Sequence, residues 1–230
     1  MFSVADNVRA VREKAEQAAG GREICLLAAS KTKGPELIRE AIKAGVDAVG
    51  ENRVNEMTQK AALGAYDGVP LHFIGRLQKN KVKYVVGRVE LIHSVDSAEL
   101  MQLIGRKAVQ LGTVQDILLE INIGREESKG GFAPEQVEQA VELAAGTEGV
   151  RLLGLMAIPP VGDVFSEKYT YFDEMYKLFV DIRAKKYDNI SMNVLSMGMS
   201  GDYPAAIRAG ANMVRVGTAI FGARTYPPTV

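Results

Sequence analysis

Three groups in this chain combine residue types that can do chemistry with spacings that bring them to bear. Lys31 ends the series Cys25, Leu27, Ala29, Lys31, whose shared parity puts them on one face of a strand. A lysine at a strand exit with the small Ala29 beside it and the cationic Lys33 nearby can have a lowered pKa and act as an amine nucleophile; an exposed strand-end lysine is the plainer alternative. Arg215 lies within Met213-Val214-Arg215-Val216-Gly217, where period two sets Met213, Arg215 and Gly217 apart from the two valines. A buried arginine is costly unless it meets an acceptor, so this one is either paired structurally or aimed at a ligand. Ser200-Gly201-Asp202 stands before a helical segment, and Gly217-Thr218 before the apolar Ala219-Ile220-Phe221. Glycine amides, a hydroxyl and a helix start can cradle a phosphate, although ordinary helix capping uses the same residues.

Such groups need a scaffold, and the chain has a regular one. Short aliphatic runs occur at Ile24–Ala29, Val46–Val49, Leu71–Ile74, Glu90–His93, Asp116–Ile121, Arg151–Ala157, Ser191–Leu195 and Met213–Val216. Between them the period lengthens to that of helices, over Pro35–Ala44, Arg53–Leu63, Lys79–Val85, Ala98–Leu111, Pro134–Ala145, Glu167–Lys185 and Asp202–Ala209. Ser97 reads as a cap, and Gly45, Gly64, Gly112, Gly146 and Gly210 as closing glycines. Residues 1–20 form a further helix ahead of the first strand, with Val4, Val8 and Val11 at helical spacing. Strict alternation implies a parallel sheet with right-handed crossovers. An open doubly wound sheet fits this pattern, but eight strands in 230 residues favour a single (β/α)8 TIM barrel over residues 1–230. In such a barrel the active face is the C-terminal end of the strands, and the loops after strands seven and eight often bind phosphate. A lysine amine, a phosphate cradle and an arginine directed at a ring nitrogen then describe a pyridoxal-phosphate pocket.

Composition narrows the partners. The chain carries 28 Lys+Arg and 28 Asp+Glu, with 47% hydrophobic and 24% charged residues. That excludes a disordered chain and a basic nucleic-acid coat, and it gives no global steering toward an anionic polymer or lipid surface. No apolar run approaches the ~18 residues needed to span a bilayer. Cys25 is the sole cysteine, so no internal disulfide forms; it reads as a buried, inert thiol. Without a secretory leader in the first twenty residues, a cytoplasmic location is expected. The aromatic series Tyr169, Phe172, Tyr176, Phe179 reads as core packing.

Eight ordered blocks also carry a family resemblance. They are Ala28-Ala29-Ser30-Lys31-Thr32-Lys33, Gly50-Glu51-Asn52-Arg53-Val54, His72-Phe73-Ile74-Gly75-Arg76-Leu77-Gln78, His93-Ser94-Val95-Asp96-Ser97, Glu127-Ser128-Lys129-Gly130-Gly131, Gly154-Leu155-Met156-Ala157-Ile158, the run from Leu195 to Asp202, and the run from Arg215 to Gly222. Together they resemble the pyridoxal phosphate homeostasis protein family from about residue 24 to 224. The resemblance implies a barrel similar to the N-terminal domain of alanine racemase. It implies that Lys31 holds pyridoxal 5′-phosphate as an internal aldimine, that Arg215 faces the pyridine nitrogen, and that Ser200, Gly201, Gly217 and Thr218 surround the phosphate. Asn52, His72 and Met197 would be pocket neighbours. Two positions depart from the family pattern: Leu71 stands where tryptophan is common, and Arg76 where histidine is common.

The same resemblance points to a carrier that buffers and delivers the cofactor, not to a dedicated enzyme. Arginine at the pyridine nitrogen leaves the ring a weak electron sink. Alanine racemases draw a second acid/base group from a β domain, and this sequence stops a few residues beyond its last strand motif. The expected partners are the cofactor and, transiently, enzymes that use it, with the chain itself a monomer. Weak amino-acid racemisation is the nearest alternative. A more distant one is a metal-dependent hydrolase built on His72, His93, Glu51 and Asp96.

Overall fold

The computed structural model describes residues 3–160, 165–185, 187 and 190–223. Eight parallel strands close into a barrel in chain order, with the last pairing back onto the first. They are β1 (Cys25–Ala29), β2 (Ala48–Glu51), β3 (Leu71–Phe73), β4 (Leu91–Val95), β5 (Gln115–Ile121), β6 (Val150–Ala157), β7 (Ile190–Met199) and β8 (Met213–Val216). The helices are α1 (Val4–Ala19), α2 (Pro35–Lys43), α3 (Val54–Ala61), α4 (Ala98–Gln110), α5 (Val137–Ala145), α6 (Phe165–Ala184), α7 (Tyr203–Arg208) and α8 (Thr218–Phe221), with 3-10 turns at Lys79–Tyr84 and Pro134–Gln136.

Local chemistry explains most boundaries. Ser3 caps α1 by accepting from the Asp6 amide at 3.1 Å while the Asp6 carboxylate accepts from the Ser3 amide. Ser97 caps α4 through the Leu100 amide, as its sequence position suggests. Gly45, Gly64, Gly112 and Gly210 adopt the positive φ expected of closing glycines, whereas Gly146 has an ordinary φ of −90°. Pro134–Gln136 opens the fifth helical segment as a 3-10 turn, and Thr218–Phe221 adds a short helix; two larger departures from the expected elements concern the segment after β3 and strand β7. Lys79–Tyr84 winds as a 3-10 turn and not an α-helix; Lys79 and Lys83 would repel at α-helical spacing. Strand β7 runs on to Met199, because Ser196–Met199 keep pairing with β6 and β8 across a register shift. The polar and glycine residues there resemble a loop only in composition.

Period two sorts the strand residues into two layers. Leu26, Ala28, Val49, Val214 and Val216 face outward and pack with Val4, Val8 and Val11 of α1. Burial of each such valine is worth about 1.5–3 kcal/mol. On the opposite side Ile92, Ile117, Leu119, Leu155 and Leu195 pack against α4, α5 and α6. Phe172 and Phe179 of α6 are buried there, but Tyr176 is 43% exposed and lies over Gly210, and the Tyr169 side chain lies outside the described residues. Inside the barrel, Leu27, Ala48, Leu91, Leu118, Met156 and Met213 fill the lower lumen. Burial also pushes the Cys25 thiol up to about 12, so it stays protonated and unreactive. Above that apolar floor the lumen turns polar.

Candidate functional site

The strand register brings most of the predicted positions to one end of the barrel. Leu27 of β1 pairs with Arg215 of β8, and Met199 of β7 pairs with the same arginine. Gly217 therefore lies beside Ala29, whose carbonyl would be 3.3 Å from a Cβ at that position. Lys31 follows two residues later in the turn after β1. On its other side Ala29 pairs with Gly50, and Gly50 with His72, so Asn52 and His72 follow around the rim.

The turn that carries Lys31 is gripped from below. The Ser30 amide donates to the Gly50 carbonyl and the Lys33 amide to the Ser30 carbonyl. Thr32 is held at φ +65°, an unusual conformation for a β-branched residue, with its amide donating to Glu56 Oε2 at 2.8 Å. Beneath lies a buried cluster around Glu51. Its Oε1 accepts from the Ser30 hydroxyl at 2.6 Å, Lys60 Nζ at 2.7 Å and the Tyr66 hydroxyl at 3.1 Å. Lys60 also donates to the Ser30 carbonyl at 3.0 Å. The Lys33 ammonium donates to the Phe221 carbonyl at the end of α8, tying the β1 turn to that helix.

The loops after β7 and β8 meet at one oxygen atom. Ser200 Oγ accepts from the amides of Gly217 at 3.1 Å and Ala219 at 3.2 Å. Two backbone donors converging on an oxygen are the arrangement a phosphate oxygen requires. Gly201 is exposed, and a Cβ there would meet nothing within 4 Å; Thr218 is exposed at the start of α8.

Arg215 is 4% exposed and lies in the lumen. Its Nη1 donates to the Ser196 carbonyl at 2.8 Å and the Ser196 hydroxyl at 2.6 Å, and its Nη2 to the Ala157 carbonyl at 2.9 Å. Burial lowers its pKa to about 10, against the opposing charges of Glu120 and Asp202, which leaves it charged at neutral pH. Beside it His93 is fully enclosed, with Nδ1 at 3.1 Å from Ser196 Oγ and Nε2 at 3.0 Å from His72 Nδ1. Burial lowers His72 to about 4; it also holds His93 well below its usual value, with the charges of His72 and Arg215 adding to the effect. Both rings are neutral at pH 7. Across the lumen Glu120 is pushed up by burial and by Asp96, while Arg215 and Arg76 oppose the rise.

The sequence reading needs three amendments. Met197 is fully buried in the layer between barrel and helices, because its neighbour Ser196 takes the inward parity, so its side chain packs the wall and not the pocket. The four residues of the metal reading separate: the two histidines bond each other, Glu51 belongs to the Lys60 cluster, and Asp96 pairs with Ser97. No group of three metal-ligating side chains exists among the described residues. Ser196, Lys60, Tyr66 and Glu120 were not singled out as site residues. For Ser196 and Glu120, strand parity was the signal that would have found them; the partners of Glu51 lie on α3 and the loop beyond it, where no local pattern points inward.

A groove of about 1210 Å³ opens next to this mouth over the exits of β2, β3 and β4. Asn52 lines it, and Arg53, Arg76, Lys79 and Lys81 outnumber the acids Glu56 and Asp96 along it. Gly75 lets the exits pack closely, since a Cβ there would lie 2.3 Å from the Asn52 carbonyl oxygen.

Residues 2–225 match the family described as alanine racemase, N-terminal domain. A pyridoxal phosphate homeostasis protein of Aquifex aeolicus (strain VF5) is 45% identical over 217 residues, 93% of this chain and 94% of that protein. One of the same name from Escherichia coli (strain K12) is 39% identical over 236 residues, covering 98% and 99%. The structure of PipY from Synechococcus elongatus PCC7942 with PLP bound aligns with a TM-score of 0.84 at 31% identity, covering 96% of this chain and all of that one. An alanine racemase of Clostridium difficile 630 shares the fold, with a TM-score of 0.73 at 21% identity over 97% of this chain and 57% of the enzyme.

Proposed function

The chain belongs to the pyridoxal phosphate homeostasis protein family, and from that membership and the mouth geometry we propose that it binds pyridoxal 5′-phosphate covalently through Lys31, buffers it and delivers it to enzymes that use it. The residues present fit that group. Bound there, pyridoxal phosphate supplies an aldehyde that condenses reversibly with a primary amine, releasing water. Lys31 provides the amine. The Ser200 hydroxyl, whose oxygen accepts from the amides of Gly217 and Ala219, would turn its hydrogen to a phosphate oxygen, with Gly201, Gly217 and Thr218 around the group. Arg215 offers an N–H to the pyridine nitrogen and, being unable to give up its proton at neutral pH, leaves that nitrogen unprotonated. Asn52 and His72 border the ring, and the cationic groove over β2–β4 favours an anionic ligand.

The observation that carries this reading is the convergence of two amides on one oxygen beside the strand exit that bears Lys31. An arginine at the ring nitrogen suits retention better than turnover. The reading includes a cytoplasmic monomer that meets cofactor-dependent enzymes transiently. No helix among the described residues is long and apolar enough to cross a membrane. Loaded protein mixed with the cofactor-free form of such an enzyme is expected to restore its activity while losing its own visible absorption. Loaded protein that never gives up cofactor would overturn the delivery role.

Glu120 favours a second reading, because burial and Asp96 raise its carboxyl above the usual carboxylate range, which suits it better to accept and return a proton. Incubation with D- or L-alanine in deuterated water separates the two. Carriage predicts no α-deuterium uptake above free cofactor; uptake lost in Glu120→Gln would establish weak racemase chemistry.

A further inference from the structure

The polar residues of the upper lumen form one connected series, with a group that can only donate at one end. Arg215 has donors only. Its Nη1 donates to Ser196 Oγ at 2.6 Å, so the Ser196 hydroxyl hydrogen must go elsewhere. Among the described residues the other polar group on that oxygen is His93 Nδ1, at 3.1 Å, the acceptor that keeps the buried hydroxyl hydrogen bonded. Ser196 thus donates to Nδ1, and the neutral His93 ring carries its proton on Nε2. That nitrogen lies 3.0 Å from His72 Nδ1, which must accept. The His72 proton is therefore on Nε2. His93 has no exposure and His72 is 6% exposed, so the series opens to the mouth at His72.

We propose that Arg215, Ser196, His93 and His72 form a single directed hydrogen-bond chain that fixes His72 as an Nε2–H donor at the barrel mouth, making Ser196 and His93 positioning residues for the ligand held there. A ligand atom facing His72 is then an acceptor, such as a ring oxygen. No proton is transferred along the chain; each donor stays with its atom. The chain also orients Arg215. With Nη1 held by Ser196 and Nη2 by the Ala157 carbonyl, the guanidinium plane is set before anything binds. The part of this inference that concerns the cofactor rests on the pyridoxal-phosphate reading; the tautomers do not.

The test uses the whole chain with isotopically labelled histidine, and only two rings are present. Proton–nitrogen correlation spectra without ligand are expected to show both rings as neutral Nε2–H tautomers. Either ring found protonated on Nδ1 at neutral pH would overturn the chain. On addition of pyridoxal phosphate the His72 Nε2–H resonance should move. An unchanged His72 signal with cofactor fixed on Lys31 would refute its role at the ligand. Ser196→Ala removes a charge-assisted bond and should release cofactor on the order of tenfold faster, with Ser196→Thr restoring retention. Wild-type retention in a folded Ser196→Ala protein would refute the positioning role. If no cofactor attaches to the native protein while both tautomers are as assigned, the pyridoxal-phosphate reading fails and the chain stands.

Discussion

Replacing Lys60 with methionine isolates the support beneath the Lys31 turn. The ammonium lies 2.7 Å from Glu51 Oε1 and 3.0 Å from the Ser30 carbonyl. Glu51 is completely buried, and its Oε2 has no hydrogen-bond partner among the described residues, so the contacts that hold the carboxylate converge on Oε1. Lys60→Met leaves a buried charge facing two neutral hydroxyls, those of Ser30 and Tyr66. Removing one partner of a buried ion pair costs about 3–5 kcal/mol. For a chain of this size that lowers the thermal midpoint by roughly 6–20 °C. It also frees the Ser30 carbonyl next to Lys31, so cofactor retention should weaken in molecules that remain folded. Glu51→Gln in the same chain removes the stranded charge and should recover most of the loss. Urea unfolding followed by circular dichroism measures all three proteins. A Lys60→Met protein within about 1 kcal/mol of wild type, or a double variant no more stable than the single, would refute the claim that the pair supports the turn.

Three further outcomes follow from the same geometry. Both histidines are neutral in the folded protein, with His72 held at about 4. Below pH 6.5 the unfolded chain takes up protons that the native state refuses, so stability falls from pH 6.5 toward 4, by on the order of 2–3 kcal/mol for His72 alone; urea midpoints should lose that much less in His72→Gln. Gly75→Ala drives a methyl into the Asn52 backbone and should cost about 1–3 kcal/mol by overpacking, with weaker cofactor binding as Asn52 shifts; unchanged stability and binding would refute the close approach. Ser200→Asp sets a negative charge on the amides of Gly217 and Ala219, which should satisfy them while repelling phosphate. Equilibrium dialysis should show pyridoxal phosphate binding at least ~10-fold weaker, an effect of about 1.4 kcal/mol or more; undiminished affinity would place the phosphate elsewhere.

Much of this arrangement is legible in the chain because a barrel converts local parity into position. Arg215 stands on the inward parity of β8 and Lys31 in the turn that leaves β1, so both fall at one end of the barrel once β8 pairs with β1. The loops after β7 and β8 are legible for the same reason: Ser200 and Gly217 each follow a strand directly. Met197 misleads because its motif suggests a pocket while its parity faces the helices. The support under Lys31 is less accessible. Lys60 reaches Glu51 from α3, and Tyr66 from the loop beyond it, through contacts that depend on helix placement over the sheet. The His72–His93 bond likewise depends on the angle between neighbouring strands, which periodicity does not encode.

Lys31 as the covalent anchor is the core of the proposed function. The direct measurement is borohydride reduction of protein incubated with pyridoxal phosphate, followed by peptide mapping. The modified peptide is expected to carry the label on Lys31, and Lys31→Ala to lose both the label and the visible absorption band while remaining folded. Label on another lysine in the wild-type protein, or covalent retention by Lys31→Ala, would contradict it.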